Sequence, residues 1–148
     1  MKKIIVTLFA LSALFAGSVF AGGSRSGDVM SGRLYNKNSY VVHSDGVKEL
    51  LSFERDIYQK SDIFPATLSG GEEQYDYTIA GDDWYGAPVW EYVAVSYFAQ
   101  AAGGKVYGCF FKFNKSSQDI EALPLGIADS SNCRAYGSSV FMYFAIYE

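Results

Sequence analysis

The sequence predicts an α+β fold in which one amphipathic helix packs on an antiparallel sheet of five or six strands, with one disulfide across it. Three observations lead there. Residues 89–113 hold two aromatic-rich segments, VWEYVAVSYFA and KVYGCFFKF, separated by Gln100-Ala101-Ala102-Gly103-Gly104, the pattern of a hairpin. Residues 47–60 gather Val47, Leu50, Leu51, Phe53, Ile57 and Tyr58 on one side at helical spacing. Cys109 and Cys133 are the two cysteines of the chain, an even pair suited to a structural bridge.

The hairpin organises the rest. In its first strand Glu91, Val93, Val95 and Tyr97 share one face, and Trp90, Tyr92, Ala94 and Phe98 the other, following the period of two of a pleated backbone. Both faces are largely apolar, which places the strand centrally with structure on both sides. Gly103 and Gly104 can supply the positive φ angles of a tight connection.

Taken in order, the chain opens with Met1-Lys2-Lys3, an apolar run over 4–15 and small residues ending Val19-Phe20-Ala21. This is the layout of a secretory signal peptide cleaved after Ala21, and its apolar run is short for a membrane span. The expected organisation is a signal peptide over 1–21, a flexible Gly/Ser-rich arm over 22–32 (GGSRSGDVMSG) and one globular domain over 33–148. A first strand is expected over 40–43. Asp45 then offers a cap to a helix over 47–60, whose wet side carries Lys48, Glu49, Ser52, Arg55, Asp56 and Gln59 and which Pro65 prevents from continuing. Tyr75, Tyr77 and Ile79 alternate with Asp76 and Thr78 as in a half-exposed strand. Residues 82–86 read as a loop tip, 114–119 as a polar turn, and 120–127 as an edge strand or packed loop because of Pro124. Residues 138–147 (SSVFMYFAIY) form a last strand, apolar on both faces, expected beside the hairpin with the disulfide at its entrance.

Charge excludes some partners. The full chain carries 12 Lys+Arg and 16 Asp+Glu, and loss of Lys2 and Lys3 with the signal peptide moves the net charge from −4 to −6. No Lys/Arg cluster exists to follow a phosphate backbone or an anionic membrane surface, so neither nucleic acid nor peripheral membrane contact is expected. Between residues 61 and 104 there is no Lys, Arg or His, while Asp62, Glu72, Glu73, Asp76, Asp82, Asp83 and Glu91 lie there among Tyr75, Tyr77, Trp84, Tyr85 and Trp90. Nothing in the pattern sets an oligomeric state.

No catalytic motif is present. A Ser-His-Asp or Cys-His centre needs an imidazole, and the one histidine, His43, reads as an ordinary surface residue. No G-x-S-x-G, H-E-x-x-H, C-x-x-C or phosphate-cradling glycine loop occurs, and Asp82-Asp83 lacks the spacing of a calcium loop. No cofactor, metal or catalytic residue is expected. Glu54 falls within the apolar stripe of the expected helix, where desolvation would raise its pKa; the plainer expectation is a glutamate at a helix edge. Glu54 and Asp83 as a glycosidase pair would be a coincidence open to any acid-rich chain.

The function this predicts is binding. Acidic groups steer association with a basic protein and large aromatics anchor it, so Glu72, Glu73, Asp82, Asp83, Trp84 and Tyr85 are the expected contact residues. Size, export and charge match small bacterial inhibitors and immunity proteins, and the expected partner is a basic envelope hydrolase or toxin, met in the periplasm or medium. The alternatives are a carbohydrate-binding module, its aromatics stacking on sugar rings, and a small outer-membrane β-barrel with an aromatic girdle.

Overall fold

The computed structural model describes residues 29–57 and 63–148. The expected signal peptide and all but residues 29–32 of the expected arm lie outside them. In chain order the strands are β1 (Met30–Lys37), β2 (Tyr40–Val42), β3 (Lys48–Leu50), β4 (Phe53–Ile57), β5 (Thr67–Leu68) and β6 (Glu72–Ile79). A single 3₁₀ turn (Gly81–Asp83) follows, then β7 (Tyr92–Gln100), β8 (Val106–Asn114), β9 (Ile120–Gly126), β10 (Cys133–Tyr136), β11 (Ser139–Met142) and β12 (Ala145–Tyr147). They form three sheets, ordered β10-β11-β1-β6, β12-β2-β3 and β5-β4-β7-β8-β9.

The α+β expectation is overturned: the described chain is mostly β, with no amphipathic helix on a sheet. The segment expected to be helical is instead β3 and β4, with Tyr58, Gln59 and Lys60 outside the described residues. Leu51 and Phe53 are buried while Ser52 and Glu54 are exposed, so the spacing serves a strand as well as a helix. Tertiary pairing decides between them, because β4 runs antiparallel to β7 from Glu54↔Phe98 to Ile57↔Val95. Asp45 makes the local hydrogen bond expected of it but in another setting. Its Oδ1 accepts the Val47 N–H at 3.0 Å, bracing the β2–β3 turn rather than starting a helix. Glu54 is exposed and lies in no apolar stripe.

Two further expectations are corrected. The first sheet and the β12-β2-β3 sheet are mixed, since β1–β11 and β12–β2 pair in parallel. The expected last strand is divided into β11 and β12, and these pair with β1, β10 and β2 instead of the hairpin. The hairpin itself is formed by β7 and β8, paired from Tyr92↔Asn114 to Gln100↔Val106, with Gly103 and Gly104 at φ +98° and +95°. β9, which contains Pro124, is an edge strand.

The core lies between the five-stranded sheet and the β10-β11-β1-β6 sheet. Val93, Val95, Tyr97 and Ala99 of β7 and Tyr107, Cys109, Phe111 and Phe113 of β8 are buried on the inner side, facing Leu34, Tyr77, Ile79, Val140 and Met142. Phe64, Tyr77 and Phe113 form a three-ring contact, with centroids 5.1–5.5 Å apart. The Cys109–Cys133 disulfide joins β8 to β10 and so fastens one sheet to the other.

Candidate functional site

The residues expected to touch a partner do not form one patch. Glu72 and Glu73 begin β6, and Asp82 and Asp83 follow its far end; eight residues of extended chain separate those ends by about 24 Å. Glu72 is paired with Lys37 across the strands, Nζ to Oε2 2.8 Å, which lowers the pKa of its carboxyl through that hydrogen bond. Asp83 turns Oδ2 back to accept the Ala80 N–H at 2.9 Å, closing the 3₁₀ turn. Trp84 is 7% exposed and belongs to the core. Asp82 and Tyr85 remain exposed.

Beyond Trp84 the chain builds a projecting loop. Tyr85 and Tyr92 exchange both backbone hydrogen bonds at 2.8 Å, so residues 86–91 emerge from a closed neck. Ala87-Pro88-Val89-Trp90 is a turn, with the Trp90 N–H donating to the Ala87 carbonyl at 2.9 Å and proline suiting the second position. The turn drives Val89 and Trp90 outward, 80% and 59% exposed. Gly86, at φ +99°, lies under the indole: a Cβ there would stand 2.6 Å from Trp90 Cζ3. Tyr92 supports the indole from the side, its ring 6.4 Å away and inclined by 23°. Tyr85 meets Tyr92 edge-on, and the Lys112 ammonium sits 5.0 Å from the Tyr92 centroid. At the base, Lys115 donates its N–H to the Glu91 carbonyl and its ammonium to Glu91 Oε1 at 2.7 Å.

In sequence Val89 and Trp90 read as the start of the central strand, and Trp90 reads, with Trp84 and Tyr85, as a candidate interface anchor; the structure takes both residues out of the strand and onto this braced loop. Gly86-Ala87-Pro88 was the available signal, since such a run ends a strand rather than beginning one.

His43 also differs from the expected surface residue. Its Nε2 is 2.8 Å from Glu49 Oε1 and its Nδ1 2.9 Å from Glu148 Oε1. Hydrogen bonding to Glu148, then to Glu49, raises its pKa above the ordinary value. Among the described residues no three His, Cys, Asp or Glu side chains are grouped as metal ligands. The carboxylates here are turned to the imidazole, and the Glu49 carboxylate also accepts the Ala102 N–H.

Comparison with protein-family models, with curated proteins and with solved structures finds no match to this chain.

Proposed function

We propose that this chain is an exported binding protein, without catalysis of its own, that docks a basic partner of the cell envelope, a hydrolase or toxin, through the loop at 81–92. The observation that carries this reading is the exposure of Val89 and Trp90 on a loop closed by the Tyr85–Tyr92 bridge. Apolar area held outward on a braced backbone loses little conformational freedom on binding, and a tryptophan is the commonest anchor of a protein interface. Asp82 stands exposed at the neck, and the net negative charge favours a basic partner. For a sugar the loop offers only the Trp90–Tyr92 pair, inclined by 23°, because Tyr85 stands at 74° to Tyr92. The three open sheets give no support to the barrel reading.

The test compares the mature chain with Trp90→Ala and Asp82→Lys as bait for envelope proteins. A basic protein held by the wild type should be bound about 30-fold more weakly by Trp90→Ala, the roughly 2 kcal/mol of an interface anchor. It should leave Asp82→Lys at lower salt. Equal retention by all three chains would remove the loop from the interface.

A further inference from the structure

A concave site lies at the opposite end of β6 from that loop. Glu72 and Lys37 stand on its floor, and the β10–β11 turn and the segment after β11 wall a cleft of about 620 Å³. Tyr136 and Tyr143 rise from those walls, 84% and 56% exposed, and Tyr40 and Phe141 complete its aromatic lining. Two of the lining rings, Phe141 and Tyr40, are braced. Phe141 lies parallel to Tyr35 at 4.9 Å, the Tyr40 and Tyr147 hydroxyls are 3.0 Å apart, and the Lys48 ammonium sits 4.4 Å from the Tyr40 centroid.

The polar groups of the cleft are of both kinds. Asn38 and Ser131 offer donors and acceptors, and the Lys37–Glu72 pair is internally neutral. Arg134 pairs with Phe141 in the β10–β11 register, lines the cleft and forms no ion pair among the described residues. The uncompensated charge of the cleft is therefore a guanidinium.

We propose that this cleft binds an acidic saccharide, with sugar rings lying on Tyr136 and Tyr143 and a carboxylate at Arg134. A pyranose presents an apolar C–H face and a rim of hydroxyls, and requires flat aromatic surface beside mixed hydrogen-bonding groups. An open cleft whose aromatic rings alternate with charged and amide groups leaves those polar groups unsatisfied against a purely apolar ligand. The planar fork of an arginine matches a carboxylate in a two-bond, charge-assisted geometry that is stronger than the neutral bonds a sugar's hydroxyls can accept from it.

Titration calorimetry of the full mature chain tests this with a tetramer of galacturonic acid and a neutral tetramer of glucose. The galacturonide should bind at least tenfold more tightly. Tyr136→Ala and Tyr143→Ala should each weaken it at least tenfold, and Arg134→Gln should abolish the preference while leaving the glucose oligomer unchanged. Trp90→Ala, in the other site, should alter neither sugar. All three cleft positions are solvent-facing, and unchanged thermal melting confirms that each variant is folded. Absence of binding, equal binding of the two sugars, or galacturonide binding unaffected by Tyr136→Ala and Arg134→Gln would overturn the assignment.

Discussion

Glu148 Oε1 lies 2.9 Å from His43 Nδ1, tying the residue after β12 to the residue after β2. Glu49 holds the other ring nitrogen, Lys105 reaches Glu148 at 3.9 Å, and the Tyr107 hydroxyl, for which the described residues supply no hydrogen-bond partner, is raised in pKa first by burial and then by the charges of Glu148 and Glu49. Since the folded state raises the histidine pKa, its contribution to stability is complete below the unfolded value of about 6.5 and disappears as pH rises through the folded value. The melting temperature of wild type minus His43→Gln should therefore be largest near pH 5.5 and shrink toward pH 8.5. A difference that stays constant over that range would refute the coupling.

Gly86→Ala should release the loop between Tyr85 and Tyr92. The backbone at φ +99° is unfavourable for alanine, and the new methyl would meet the indole ring of Trp90. The conformational part alone costs about 1–2 kcal/mol. Urea unfolding should report that loss, and tryptophan fluorescence should show a changed environment.

Asn36→Ala should be among the more damaging single substitutions. Asn36 is fully buried, and its Nδ2 donates to the carbonyls of Leu51, Leu68 and Ser69 while its Oδ1 accepts the Ser39 N–H. Truncation leaves those groups without their partner inside the core, a loss of about 3 kcal/mol on the scale of buried unsatisfied groups. Asn36→Asp, which keeps the acceptor but loses the donors, should fail to restore stability in denaturant titration.

Replacing Cys109 and Cys133 together by alanine should destabilise the chain by about 3 kcal/mol, the chain-entropy value for a loop of this length. The bridge spans 24 residues and joins the two large sheets. Reductant should lower the unfolding midpoint of the wild type and leave that of the double variant unchanged.

Glu54→Gln should change stability by less than about 0.5 kcal/mol, as expected of an exposed position outside any cap or core. A large gain would show that its charge opposes folding.

The hairpin and the bridge were legible because each rests on local chemistry, and of the two readings of residues 120–127, edge strand or packed loop, the structure has the edge strand over Ile120–Gly126. Alternation in β7 and β8, paired glycines with positive φ, an even cysteine pair and Pro124 act within a few residues or by elimination. The fold class was not legible, because Leu51, Phe53 and Ile57 satisfy two periods at once over so short a stretch. Of the expected contact residues, Glu72, Glu73, Asp82 and Tyr85 are exposed, the two glutamates at the opposite end of β6 from the others, whereas Trp84 belongs to the core.

By itself the sequence determined the composition-level facts: a negative, aromatic-rich chain with one pair of cysteines, built around a hairpin whose first strand reads as largely apolar on both faces. Only the tertiary structure decided which strands those segments pair with, and hence which aromatics are buried. Side-chain burial depends on the neighbour opposite, and the partners of Asn36 and His43 include Leu51, 15 residues away, and Glu148, 105 residues away. A pattern read along the chain carries no register across it, so the projecting Trp90 and the Tyr136–Tyr143 cleft emerged from the folded sheets alone.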